Sequence, residues 1–150
     1  MSQQADASQQ VNVLLVEDSR TQAMLTEYVL SEIPQMHLMA TLDDGEKAVQ
    51  FLWREGEYAE VVRPNLVLLD INLPGMSGFD VLHRMKADPE LCTIPVVMLT
   101  ASSDEQDVAK SYASGASTFI TKPVQPDDFK NVIEQFASYW SSAAQLPPNA

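Results

Sequence analysis

Five residues stand at the right places to do chemistry together. Glu17 and Asp18 directly follow an apolar run. Asp70 closes a second run, Thr100 a third, and Lys122 follows a fourth. Carboxylates held close together repel one another, and a hard divalent cation with oxygen ligands relieves the repulsion. Beside such an ion an aspartate can act as nucleophile, while an ammonium and a hydroxyl neutralise charge on a transferring phosphoryl group. Taken singly, each residue has an ordinary reading. Acids after a strand are commonly solvated, an aspartate or threonine at a strand end satisfies local backbone donors, and a lysine lies at the surface. Only their convergence would turn them into a site.

The elements that must bring them together can be read from the hydrophobic pattern. Val11 to Val16, Met36 to Thr41, Asn65 to Asp70, Pro95 to Thr100 and Ser117 to Thr121 read as strands. Between them, Thr21 to Leu30 places Met24, Leu25, Tyr28 and Val29 on one expected core face, and Gly45 to Arg54 does the same with Ala48, Val49, Leu52 and Trp53. Further helices are expected over Gly78 to Ala87, Asp104 to Ser114 and Pro126 to Trp140. The last opens with Pro126, Asp127 and Asp128, which favour a helix N-terminus.

Five strand-helix units require right-handed crossovers and an open parallel sheet between helix layers. The expected fold is α/β, a (βα)5 flavodoxin-like, doubly wound parallel sheet of strand order 2-1-3-4-5. The segment NLVLLD is apolar at consecutive positions, as a central strand covered on both faces should be. In such sheets ligands bind beyond the carboxyl ends of the strands at the switch point, where the ends of strands one, three, four and five meet. Glu17, Asp18, Asp70, Thr100 and Lys122 all fall on that edge. The three carboxylates predict a Mg²⁺ site, with Asp70 as nucleophile and Lys122 and Thr100 as charge-stabilising partners.

Composition narrows the function classes. The 150 residues, 45% hydrophobic, suit one folded domain, and a formal charge of −12 repels nucleic acid phosphates and anionic membranes. No apolar run approaches the roughly 20 residues of a membrane span, and the opening lacks a signal pattern, so a cytoplasmic protein is expected. The single cysteine, Cys92, has no internal disulfide partner and no metal-ligand spacing around it. Residues 1–10 are expected to be a disordered leader, 11–142 the domain, and 143–150 a short tail. His37 and His83 lie away from the strand ends, and the methionines suit gap filling.

Four motifs then agree with a known family. VEDS at 16–19, DINLPGMSG at 70–78, LTAS at 99–102 and TKP at 121–123 resemble the receiver domains of two-component response regulators, the CheY-like fold, over about Val11 to Tyr139. The resemblance implies that Asp70 is the phosphoacceptor for a sensor histidine kinase. Glu17, Asp18, Asp70 and the Asn72 backbone carbonyl would hold the metal. Thr100 and Phe119 would form a switch pair, and Pro123 would be a cis proline that aims Lys122. It implies a phosphoprotein rather than an enzyme, self-catalysing only its own phosphorylation and dephosphorylation.

An aspartate-nucleophile phosphatase or dehalogenase is disfavoured because Asp70 follows strand three and Asn72 replaces that family's second aspartate. A flavin module is disfavoured by the acids Glu17 and Asp18 where a phosphate loop would lie. Little chain remains for an output domain, so the expected output is contact with a downstream protein or relay to a histidine phosphotransfer protein. FLWREGEYAEVVRPNLVLLDINLP and YWSSAAQLPP further resemble the single-domain regulators that partner phytochrome-type kinases. That likeness implies a homodimer through the helix four, strand five and helix five face, extended by Trp140 and Leu146.

Overall fold

The computed structural model describes residues 10–101 and 105–131. Expectations for the leader at 1–9, for Ser102 and Asp104, for the last helix beyond 131 and for the tail with Trp140 and Leu146 lie outside the described residues. Within them, β1 (Val11–Val16), β2 (Met36–Leu42), β3 (Leu66–Asp70), β4 (Val96–Thr100) and β5 (Thr118–Thr121) form one sheet. Its order is β2-β1-β3-β4-β5 with every pairing parallel, as the alternating pattern predicts. The helices are α1 (Arg20–Ser31), α2 (Gly45–Leu52), α3 (Gly78–Ala87), α4 (Glu105–Ala113) and α5, helical over 126–131.

The central strands carry consecutive apolar residues because alternate side chains enter two different cores. Leu14, Val16, Val67, Leu69, Val96 and Met98 pack with Ala48, Leu52, Val81, Leu82 and Met85 of α2 and α3. Their neighbours Val13, Leu15, Leu66, Leu68, Val97 and Leu99 pack with Ala23, Val29 and Leu30 of α1 and with Phe129 of α5. Two dry faces leave the strand ends as the place for polar chemistry.

Helix α1 corrects one expectation. Met24, Leu25 and Tyr28 are exposed, and Ala23, Thr26, Val29 and Leu30 face the sheet instead. The phase of this helix is set by its start: Ser19 caps it, its hydroxyl accepting from the Gln22 amide at 3.3 Å, and small Ala23 and Thr26 let the helix lie close to the strands. Helix α2 buries Ala48 and Leu52 as expected, adds Phe51, and leaves Val49 and Trp53 partly covered. It ends two residues early, where Arg54 takes a left-handed φ of 55°.

The connection after α2 includes a short 3₁₀ turn, Gly56–Tyr58, and is fastened at the sheet edge opposite Asp70. Trp53 Nε1 donates to Asp88 Oδ2 at 3.0 Å, and buried Arg63 donates through Nε to the Leu52 carbonyl at 3.1 Å and through Nη1 to Glu90.

Candidate functional site

Each acidic or basic group expected at the site is delivered by the end of a strand. Glu17 directly follows β1, its amide still bonded to the Leu42 carbonyl of β2 at 2.8 Å, and its Oε2 accepts from the Ser19 amide at 3.0 Å. Asp70 is the last residue of β3 and Thr100 the last of β4. The register pairs Asp70 with Leu99 and Thr100 with Thr121, and the Lys122 amide donates to the Thr100 carbonyl at 2.7 Å. Parallel register therefore sets residues far apart in sequence at one height along the sheet.

Lys122 joins two of the acids directly. Its Nζ lies 3.1 and 3.2 Å from the two Glu17 carboxylate oxygens and 3.1 Å from Asp70 Oδ2. Glu17, Asp70 and Thr100 are buried, at 2, 1 and 2% exposure, whereas Asp18 and Asn72 are exposed at the rim. The Asn72 amide donates to Asp70 Oδ1 at 3.2 Å. The Lys122–Pro123 peptide is cis.

Two glycines shape the approach. Gly75 adopts a φ of 74°, and a Cβ on Gly78 would fall 2.1 Å from the Asp70 backbone oxygen. Only a residue without a side chain lets α3 begin this close to Asp70.

The electrostatics follow from burial and crowding. Burial raises the Asp70 carboxyl, the charge of Glu17 raises it further, and Lys122 pulls it back, leaving it at about 7. Burial alone would lower the Lys122 ammonium, but its hydrogen bonds and charge contacts with Glu17 and Asp70 override that and hold it above the usual lysine value.

Among the described residues, Glu17, Asp18 and Asp70 each offer a carboxylate oxygen, and these oxygens lie within 4.8 Å of one another. All three are hard oxygen donors. With Lys122 supplying one positive charge, two negative charges remain when all three are ionised, the balance a divalent cation would meet. The donor chemistry therefore fits Mg²⁺.

Some expected residues lie nearby without joining this cluster. Phe119 is half-buried on β5 and packs towards the core on the α2 and α3 side, where its ring meets Tyr112. His37 and His83 are exposed, and Cys92 is half-buried. Sequence reasoning missed a cleft of about 640 Å³ that opens beside Glu17 and Asp18 and is also lined by Arg20, Lys47 and Tyr58. Tyr58 sits in an irregular connection, so no periodicity could have placed it there. Also missed were the ring contacts of Lys110 and Tyr112, which depend on how α4 lies against its neighbours.

A doubly wound parallel sheet with a lysine-bridged acidic pocket at its switch point is thus the class that fold and site define. Residues 13–134 match the response regulator receiver domain family, and the chain belongs to it. It is 40% identical over 135 residues to response regulator Rcp1 of Synechocystis sp., covering 90% of this chain and 92% of that one. The structure of the Mn²⁺-bound form of Rcp1 superposes with a TM-score of 0.74 at 39% identity, over 92% of this chain and 99% of that one. The phosphorylated cyanobacterial phytochrome response regulator RcpA superposes with a TM-score of 0.75 at 36% identity, over 93% and 99%. Among the described residues no helix is long and apolar enough to cross a membrane.

Proposed function

We propose that this receiver domain accepts a phosphoryl group on Asp70 from the phosphohistidine of a sensor histidine kinase. The observation that carries this reading is the bridge from Lys122 Nζ to Asp70 Oδ2 at 3.1 Å and to Glu17 at 3.1 and 3.2 Å, beside a third carboxylate, Asp18. In the reaction an Asp70 carboxylate oxygen bonds to phosphorus, the phosphorus–nitrogen bond of the donor breaks, and the imidazole leaves. Lys122 turns from carboxylate to phosphoryl oxygen, and the Thr100 hydroxyl donates to another. Glu17, Asp18, Asp70 and the Asn72 carbonyl would hold Mg²⁺, which when bound draws charge from the phosphoryl oxygens. Hydrolysis of the acyl phosphate returns the carboxylate and inorganic phosphate. The domain modifies only itself, so it acts as a phosphoprotein and not as an enzyme on other substrates.

Several features support this reading. Mn²⁺ is bound in the Rcp1 structure, and RcpA is both phosphorylated and a phytochrome response regulator. We therefore take a phytochrome-type kinase as the partner. Thr100 and Phe119 are the switch pair that reshapes the surface, presented to a downstream protein or a histidine phosphotransfer protein. The charge of −12 favours protein over nucleic acid or membrane partners, in the cytoplasm. A homodimer through α4, β5 and α5 completes the proposal.

The test is intact mass after incubation with acetyl phosphate, with and without Mg²⁺, for the natural chain and Asp70→Asn. A Mg²⁺-dependent phosphoryl adduct on the natural chain, lost in the variant, is expected. An adduct that persists in the variant, or none on the natural chain, overturns the assignment.

A further inference from the structure

Helix α4 is tied by two side chains to the two segments that carry the reacting groups. Lys110 Nζ stands 4.5 Å from the centre of the Phe79 ring. Phe79 follows Gly78, which has no slack against Asp70, because any Cβ there would meet the Asp70 carbonyl, and whose amide donates to the Ile71 carbonyl at 2.9 Å. Two residues on, the Tyr112 ring meets Phe119 edge-on, with centroids 5.9 Å apart and planes at 85°, and its hydroxyl lies 3.4 Å from Thr118 Oγ1. Thr118 and Phe119 belong to β5, which ends at Thr121, immediately before Lys122.

Residues two apart point about 200° apart around a helix, so Lys110 and Tyr112 reach opposite flanks, one to α3 and the other to β5. Lys110 is exposed and Tyr112 is 48% exposed, so neither contact is forced by core burial. Their placement serves α4 as a strut between the Asp70 backbone and the strand that delivers Lys122.

We propose that Lys110 and Tyr112 are positioning residues for phosphoryl transfer, bracing through α4 the start of α3 beside Asp70 against the strand that delivers Lys122, on top of the register the sheet pairings already set. The proposal rests on Asp70 being the acceptor.

The experiment compares adduct formation from acetyl phosphate at saturating Mg²⁺, separating limiting rate from donor half-saturation, with Mg²⁺ affinity measured by calorimetry. Lys110→Gln and Tyr112→Leu should each lower the limiting rate about 3- to 10-fold, with Mg²⁺ affinity changed by less than about 2-fold. Lys110→Arg keeps a cation over the ring and Tyr112→Phe keeps the edge-on ring, so both should remain near the natural rate. Natural or faster rates in the disruptive variants, a loss the conservative variants share, or an effect confined to Mg²⁺ affinity overturns the proposal. Thermal unfolding accompanies each variant, and the surface change at Lys110 carries the test if Tyr112→Leu does not fold. A natural chain that forms no adduct overturns the acceptor reading itself, whereas equal rates across variants overturn only the strut.

Discussion

Replacing Asp70 with Asn in metal-free buffer should stabilise the chain at about pH 8 and leave it unchanged near pH 4. The Asp70 carboxyl is raised from the usual 3.8 to about 7, first by burial and then by the charge of Glu17, against the pull of Lys122. Because its folded value lies above its unfolded one, the proton favours the fold. That contribution is full below 3.8, fades as pH rises, and is gone above about 7.

The interval from 3.8 to about 7, at roughly 1.4 kcal/mol per pKa unit, sets an upper limit of about 4 kcal/mol. Water entering past exposed Asp18 and Asn72 screens these charges, which brings the expected gain to about 2 kcal/mol. In a domain of this size that corresponds to a rise of about 4 to 8 °C in Tm. Urea or thermal unfolding of both chains in chelator, from about pH 4 to 8, reads the difference, because groups remote from Asp70 titrate alike in both chains. Mg²⁺ should narrow the gap, stabilising the natural chain by about 2.7 kcal/mol at a hundredfold excess over Kd and the variant, short of one ligand, by less. A natural chain more stable than the variant at pH 8 in chelator, or a gap that stays open at pH 4, refutes the reasoning.

Other outcomes follow from the same geometry. Lys122→Met leaves buried Glu17 and Asp70 facing one another, so metal-free stability near neutral pH should fall by about 3 kcal/mol, with a larger rescue by Mg²⁺ than the natural chain shows; urea midpoints with and without the ion check this. Gly78→Ala puts a methyl on the Asp70 carbonyl and should cost about 2 kcal/mol while slowing adduct formation, measured by denaturation and intact mass. Arg63→Met should cost about 2 kcal/mol and leave the adduct rate unchanged, since its partners lie at the far edge of the sheet. Removing Trp140 to Ala150 should weaken dimers without preventing phosphorylation, and sedimentation showing an unchanged mass distribution would count against the proposed assembly.

The strand ends were legible because burial on both faces leaves a plain mark: LVLLD, set between amphipathic stretches, reads as a covered strand whose aspartate emerges at the edge. The meeting of Glu17, Asp18, Asp70 and Lys122 followed from the strand order and their places at the strand ends. The face of α1 did not, because Met24, Leu25 and Tyr28 are more apolar than Ala23 and Thr26, and hydropathy cannot tell that close approach rewards small residues. Nor could any pattern show Lys122 gripping Glu17, 105 positions away, with both carboxylate oxygens in reach. Such contacts belong to the assembled sheet and have no local signature. Tyr58 escaped notice for a related reason, since its connection has neither strand nor helix period.

The clasp of Trp53 to Asp88 and Arg63 to Leu52 and Glu90 gives the molecule an asymmetry of motion. At that end the connections around α2, β3 and α3 are pinned to one another by bonds that no reaction at Asp70 exchanges. At the other end, Lys122 is bonded to groups whose charge would change. The sheet is therefore a lever clamped at its foot. Any displacement begun at Asp70 is handed outward toward the free end, and amide exchange should stay slow around Arg63 while it changes beside Lys122.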